Sequence, residues 1–362
     1  MSSRSDLAAG RVSIFDVATR ARVSPATVSR ALRGAPNVSA ATRQRVAAVA
    51  QELAYVASPA ASRLASGRTS TIGIVVPFID RWFFTRVVQG AEAVVREAGY
   101  DLLLYNLADK SGRERFFDRA PLRRKVDGVI MVDVATGPRE EGQLRELGVP
   151  ITAVGGPAGS VGTVGIDDAE GVRMAVRHLA HLGHQRVGML CGQLADGLAR
   201  DVPGRRRDSF LEAVAEAGLE TSPEWVLIEP WGVEGGAAAT GRLLCGRRLP
   251  TALLAESDEI AFGALRTLHL AGLEVPGRMS VIGFDDHEMA SIVNLTTIAQ
   301  PVLEQGEIAA TLLLDAMRGH AGPSPRVTLP TKLVIRGSTA PPGGGHRRGC
   351  APGGAVGRST GA

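Results

Sequence analysis

Ser13-Ile14-Phe15-Asp16-Val17-Ala18-Thr19-Arg20-Ala21-Arg22-Val23-Ser24-Pro25-Ala26-Thr27-Val28-Ser29-Arg30-Ala31-Leu32 reads as two short helices joined by a tight turn. Ser13 stands at an N-cap position with Asp16 three residues on, where a capping box places its acid, and Ile14, Val17 and Ala18 share one face. Ala21-Arg22-Val23 makes the turn. Ser24-Pro25 opens the second helix, because proline at the first helical position lacks only a donor that has no partner there anyway. Val28, Ala31 and Leu32 are expected to face inward, leaving Pro25, Ala26, Thr27, Ser29 and Arg30 for a ligand. Small residues at the start of such a helix allow close approach to base edges, and an arginine further along reaches guanine or phosphate. The pattern predicts a reader of double-stranded DNA. A plain helical subdomain would carry the same caps and turns, so charge has to separate the two. Through Gly67 the chain holds nine arginines against three acids, a net +6, while the whole chain is only +4. A basic head on a mildly acidic body is the footprint of phosphate contact confined to one end.

Ile14 to Ala18, Val23 to Leu32, Val38-Ser39 through Arg43, Val46 and Tyr55 together resemble the DNA-binding head of the LacI/GalR family of repressors. The likeness runs on through Ser62-Arg63-Leu64-Ala65, where that family carries its hinge helix. The resemblance implies that Pro25, Ala26 and Arg30 touch base edges in the major groove. It implies that Ser13, Ser24, Thr27, Ser29, Asn37 and Ser39 hold backbone phosphates, and it brings Tyr55 into the DNA-binding set. Leu64 matches the leucine that wedges into the minor groove at the operator centre, a device that unstacks bases to kink the duplex. Two departures stand out. Arg22 occupies a turn position where the family usually has glycine, so a positive φ there would be strained. Ala57-Ser58-Pro59 replaces the usual Pro-Asn pair before the hinge.

Beyond the polar linker Ser66 to Ser70, short apolar runs alternate with amphipathic stretches. Thr71 to Pro77 reads as a strand buried on both faces, followed by a helix from about Phe84 to Ala98 ended by Gly99. Tyr100–Tyr105, Val126–Val132, Ile151–Val154, Arg186–Cys191, Trp225–Ile228, Ala252–Ala255 and Ser280–Phe284 repeat the theme. Such alternation predicts doubly wound parallel sheets, and the length calls for two lobes with a ligand cleft at the strands' carboxyl ends. The expected fold is therefore an all-α helix-turn-helix head plus an α/β two-lobed core, which the LacI/GalR resemblance implies is like a periplasmic binding protein. The head spans 11–57, the hinge helix and linker 58–70, and the core 71–339. A Gly/Pro-rich tail at 340–362 is expected to be disordered. The resemblance places lobe 1 at about 71–165 and 299–321, and lobe 2 at about 166–296 and 322–339. Crossings are expected near Gly165-Ile166-Asp167, near Thr296–Gln300 and around His320–Pro323.

The body likewise resembles the effector-binding core of the same family, most clearly at His178-Leu179 through His184, Glu256-Ser257-Asp258, Val281 to Asp286, and Leu295 to Pro301. Asp285 ends a strand at the cleft, where a carboxylate can accept two sugar hydroxyls, whereas Asp286 is read as a helix cap. Arg206 fits the family's Arg-x-x-Gly-Phe pattern, with Ser209 in place of glycine. Ser257 precedes Asp258, read as the N-cap of the next helix. Phe83, Phe84 and Trp231 match positions that supply aromatic walls, though core packing explains a phenylalanine equally well. A sugar effector is what the resemblance implies; aromatic walls would also suit a purine or nucleoside.

Other chemistries fit less well. His178, His181 and His184 drift around the helix and read as a basic last turn, so no metal and no cofactor are expected. Asp285 and Asp286 are adjacent and make a poor acid/base pair, and no nucleotide or hydrolase signature opens a helix. A solute-binding protein or a sugar-modifying enzyme would leave the basic head without a purpose, and a sensor that lost DNA binding is the remaining rival. No apolar run reaches the length of a membrane span, the N-terminus lacks an apolar leader, and Cys191, Cys245 and Cys350 lack a paired spacing. The expectation is a cytoplasmic homodimer reading a pseudo-palindromic operator under control of a small-molecule effector.

Overall fold

The computed structural model describes residues 12–32, 34–55, 68–155, 161–193, 198–199, 202–319 and 325–343. The expected hinge helix with Leu64, the glycine-rich end of the tail and the segment 320–324 lie outside the described residues. The chain divides into two compact units, residues 1–70 and 71–362.

The first unit is a three-helix head: α1 (Ile14–Ala21), α2 (Pro25–Leu32) and α3 (Ala40–Glu52). The Ser13–Asp16 capping box is formed in both directions. Arg22 takes a left-handed conformation at φ 53°, the geometry its place in the turn demands. Val17, Ala18, Ala21, Val28, Ala31, Val38, Val46 and Ala50 form the core. Leu32, expected to face inward, is 38% exposed, because Ala31 and Val28 already fill the space against α1.

The second unit holds two sheets built alike. The first runs β11-β5-β4-β3-β1-β2 and the second β12-β10-β9-β8-β6-β7. Its first-sheet strands are β1 (Thr71–Val76), β2 (Asp101–Asn106), β3 (Gly128–Val132), β4 (Ile151–Val154), β5 (Gly162–Ile166) and β11 (Arg326–Leu329). The second sheet has β6 (Val187–Gln193), β7 (Val226–Pro230), β8 (Ala252–Ala255), β9 (Ser280–Asp285), β10 (Thr296–Ala299) and β12 (Lys332–Val334). All neighbours are parallel except β10 with β12. The reversal follows from where the last crossing enters: β11 ends at the cleft, and only two residues later β12 starts beside the end of β10, so it runs back along it. Helices α4 (Trp82–Glu97), α5 (Lys110–Arg119), α6 (Pro138–Arg145) and α12 (Val302–Met317) cover the first sheet. Helices α7 (Asp168–His181), α8 (Val202–Glu216), α9 (Val233–Leu244), α10 (Asp258–Leu270) and the short α11 (Glu288–Ile292) cover the second.

The chain passes between sheets after β5, after β10, and at Pro330-Thr331 between β11 and β12. The third crossing corrects the one expected at 320–323. Arg326–Leu329 hydrogen-bonds along β5 and belongs to lobe 1, so the switch comes only after that edge is filled. The four strands β5, β10, β11 and β12 were not read from sequence: they are short, and Thr, Gly or a charged residue breaks each apolar run.

Helices α4 and α12 pack directly on each other, and glycines set how closely. A methyl on Gly306 would sit 2.1 Å from the Val87 carbonyl oxygen, and one on Gly90 2.1 Å from that of Leu303. We predict that Gly306→Ala destabilises the core by about 1–3 kcal/mol through overpacking. Gly142→Ala, on α6 with open space around it, should instead stabilise by about 0.5–1 kcal/mol. Thermal denaturation of both variants checks the pair.

Candidate functional site

In sheets of this strand order ligands sit beyond the carboxyl ends of the strands, and both sheets of the core deliver residues to one cavity of about 730 Å³. Lobe 1 contributes Arg81, Phe83, Phe84, Asp133 and Thr163; lobe 2 contributes Asp168, Arg206, Trp231, Glu259 and Asp285.

Arg206 is the centre of the lobe 2 wall and is 4% exposed. Its Nε donates to Asp168 at 2.8 Å and its Nη1 to the Glu256 carbonyl oxygen at 2.8 Å. Nη1 lies 3.9 Å from Asp285, and the guanidinium stacks 3.7 Å over the Phe284 ring. Burial by itself would lower its pKa, but the three surrounding acids Asp168, Asp285 and Glu256 hold it above the ordinary arginine value. Sequence alone left the choice among Arg205, Arg206 and Arg207 open by one residue; burial settles that Arg206 points inward.

Asp285 stands at the end of β9 with φ 119°, and Asp286 follows at φ 58°. Two non-glycine residues with positive φ in succession store strain, as sites that hold a group in a fixed pose often do. Burial pushes the Asp285 carboxyl up to about 7, against the pull of Arg206 and of Gln300. Gln300 Nε2 donates to Asp285 at 2.6 Å, and Gln305 Nε2, from lobe 1, donates to Gln300 at 3.0 Å. This relay joins the lobes within the cavity wall.

Five of the six expected effector residues, Phe83, Phe84, Arg206, Trp231 and Asp285, line the cavity. Phe84 also packs in the lobe 1 core. Trp231 lies close over the end of β6, where only a glycine fits: a Cβ on Gly192 would meet its ring at 2.4 Å. Ser257 is the exception. It is fully buried, is absent from the cavity wall, and its hydroxyl caps α10 by accepting from the Ile260 N–H at 3.3 Å. Asp258 therefore does not cap that helix; its carboxylate accepts from Thr297 at 2.6 Å and from the His287 N–H at 2.8 Å. Nor does Asp286 cap α11. It pairs with Arg336 at 2.6 Å, and His287 makes the cap.

Arg81, Asp133, Thr163, Asp168, Gln300 and Gln305 were missed as site residues. Asp168 had a signal, standing just after the first expected crossing, and so did Gln300, which belongs to the Leu295–Pro301 motif but carried no role there. Thr163 is 2% exposed, and its hydroxyl has no hydrogen-bond partner among the described residues. Among those residues no group of three or more His, Cys, Asp or Glu is placed to hold a metal, and no helix is long and apolar enough to cross a membrane.

In the head, Ala26 and Arg30 of α2 are exposed, as are Ser24, Asn37 and Ser39, while Ser13, Pro25, Thr27, Ser29 and Tyr55 are partly so. Ser24 and Ser39 also cap helices, accepting from the Thr27 and Thr42 N–H groups. Several of the head's arginines serve the fold. Arg43 donates to the Ala35 and Val38 carbonyls, Arg45 to that of Ala21, and Arg20 pairs with Glu52.

A helix-turn-helix unit together with a two-lobed, doubly wound unit enclosing a cleft cavity is the build of a DNA-binding regulator. The bacterial regulatory proteins of the lacI family match residues 13–58, and the periplasmic binding protein-like domain matches residues 176–339. The chain is 33% identical over 330 residues to the HTH-type transcriptional repressor CytR of Escherichia coli K12, covering 90% of this chain and 95% of that one. It is 30% identical over 334 residues to catabolite control protein A of Priestia megaterium, covering 91% and 99%. The lac repressor dimer bound to operator and the anti-inducer ONPF is similar with a TM-score of 0.81 and 26% identity, covering 91% of this chain and all 100% of that one. The complex of the transcriptional regulator CelR with cellobiose gives a TM-score of 0.67 and 29% identity at the same coverage. The chain belongs to the lacI family of bacterial regulatory proteins and is a DNA-binding transcriptional regulator.

Glu256 makes the site's pH behaviour testable. It is 1% exposed, accepts from the Gly192 N–H at 2.8 Å through Oε2, and its Oε1 has no partner among the described residues. Burial pushes its carboxyl from 4.5 up to about 8. A raised carboxyl contributes stability that is fully present below 4.5 and lost as pH rises through about 8. Asp285, with its carboxyl up to about 7, acts in the same direction. Glu256→Gln should therefore gain stability relative to wild type as pH rises across this window, by at most about 1.4 kcal/mol per pH unit. Urea unfolding of both proteins at about pH 5 and about pH 9 gives the difference; parallel profiles would mean that Glu256 titrates normally.

Proposed function

We propose that this regulator is a homodimeric, cytoplasmic repressor of carbohydrate-use genes, controlled by a sugar bound in the cleft of each core. The observation that carries the effector part is the cavity itself. Its volume of about 730 Å³ falls in the range of small-molecule sites. It sets Arg206, Asp285 and Gln300, which suit hydroxyls, against Phe83, Phe84 and Trp231, which suit the C–H faces of a pyranose. Structural relatives in the same family include the CelR–cellobiose complex and a regulator from Enterococcus faecium with bound ribose, the latter at a TM-score of 0.64 and 28% identity.

For operator binding, Pro25, Ala26 and Arg30 read base edges, and Ser13, Ser24, Thr27, Ser29, Asn37, Ser39 and Tyr55 hold the backbone. Arg30 and Ala26 are exposed on α2, which supports this division. Leu64 would open the minor groove at the operator centre. The dimer reading is supported by α11 and the residue after it, where Met289, Ile292 and Val293 are 42%, 72% and 42% exposed, an apolar surface that a second copy would cover.

Selection of duplexes from a random pool at near-physiological salt tests the operator reading, because low salt rewards phosphate contact alone. The expected product is a pseudo-palindrome, and its genomic matches would point to the sugars to assay; no enrichment would count against operator binding by the free protein. On the selected duplex, Arg30→Ala should weaken binding by about 1–3 kcal/mol. Equal loss on random DNA would make Arg30 a phosphate contact.

Asp285→Ala should abolish the change in operator affinity that the active sugar produces, while affinity without sugar is kept. Electrophoretic mobility titrations across a panel of mono- and disaccharides measure both. A normal response in the variant would remove Asp285 from the site.

A further inference from the structure

We propose that Trp82 is a clasp: lobe 1 holds the Asp285–Glu288 segment of lobe 2 through it, so that the segment carrying the cavity residue Asp285 is tied to the relative position of the lobes. The proposal rests on the cavity being the effector site only for its regulatory meaning; the clasp itself stands on geometry.

Trp82 is the first residue of α4, and its side chain does not join the cavity wall. It reaches across to lobe 2 instead. Its indole N–H donates to Glu288 Oε2 at 2.5 Å, and its ring lies 5.0 Å from that of His287, tilted by 31°. Phe262 of α10 meets the same imidazole edge-on at 5.3 Å, so His287 contacts an aromatic ring from each lobe. Arg86 lies 5.9 Å over the outer side of Trp82. The Glu288 carboxyl shows the contact electrostatically. Burial raises it, but its own backbone N–H and the Trp82 N–H outweigh that and keep it below the usual range.

The segment that Trp82 grips is four residues long, and each has a different partner. Asp285 faces Arg206 and Gln300, Asp286 pairs with Arg336, the His287 N–H donates to Asp258, and Glu288 meets Trp82. Asp285 and Asp286 both have positive φ, so the turn has little freedom to absorb movement at one end. A displacement of Asp285 by a bound effector is thereby felt at His287 and Glu288, and release of Trp82 is felt at Asp285. The next residues belong to α11, whose exposed apolar side chains Met289 and Ile292 are the proposed dimer surface. One rigid turn thus joins three places that a regulator must coordinate: the effector, the lobe arrangement and the neighbouring subunit.

The test uses the full-length chain without effector, so its result does not depend on whether the cavity binds a sugar. Hydrogen exchange is measured peptide by peptide in wild type, Trp82→Leu, Trp82→Phe and Glu288→Leu, with circular dichroism confirming that each is folded. The expected result is about tenfold faster exchange over 286–290 in Trp82→Leu, from loss of a ring contact and a hydrogen bond to a charged group. Trp82→Phe, which keeps a ring over His287 without the N–H, should fall between that and wild type. Glu288→Leu should raise exchange at the start of α4 in return, since a clasp must be reciprocal. Faster exchange confined to α4 in Trp82→Leu, with 286–290 unchanged, would overturn the proposal and leave Trp82 as local packing. Unchanged exchange at α4 in Glu288→Leu would overturn it as well. Should the sugar panel fail while these exchange shifts appear, the effector reading alone would fall.

Discussion

The core is organised around one buried cation. Arg206 is 4% exposed, and a guanidinium so deeply buried is tolerable only if its donors and its charge are met. Four groups from three chain segments supply that: Asp168 at the start of α7, the Glu256 carbonyl beyond β8, and Phe284 and Asp285 at the end of β9. Asp168 comes from the residues that have just left lobe 1, so the same ion pair fixes where α7 begins in lobe 2. With the cation in place, the acids around it take up unequal charge. Burial lifts Glu256 and Asp285, and Arg206 resists that for both. The cavity wall is consequently a preset arrangement of charge and hydrogen-bonding groups that a ligand meets already oriented.

What the two lobes share is as specific as what each contains. Three strands of chain cross between the sheets, and the Gln305–Gln300–Asp285 relay adds a polar tie in the cavity wall. Short crossings leave few backbone torsions in which a change of lobe angle can be absorbed, so such a change has to appear in side-chain contacts across the cleft. Those contacts gather where β9 ends. Strain at Asp285 and Asp286 is stable there because Gln300 and Arg336 hold the two carboxylates from either side.

The head shows a similar economy. Its arginines look like one basic surface in sequence, yet Arg20, Arg43 and Arg45 hold helices and turns together. Arg22, in the turn before α2, and Arg30, within α2, are both exposed, so their charge is free to meet a ligand. The capping serines stand at the N-terminal, positive ends of their helices, where an anion is favoured.

The sequence by itself determined the three-helix head and the alternation of strand and helix. Both are local patterns: caps, a Ser-Pro start and apolar runs buried on two faces depend on residues a few positions apart. It also located five residues of the cavity wall, through the ends of strands and a family motif. The tertiary structure alone decided the rest. Edge strands such as β11 and β12 have weak patterns of their own, and their sheet is set by the edge they find vacant. Which of three adjacent arginines turns inward, whether Ser257 faces the cavity or caps a helix, and where Trp82 lands all depend on residues far away in the chain. Local propensity specifies how a segment folds, but a side chain's partner is fixed only when another segment arrives beside it.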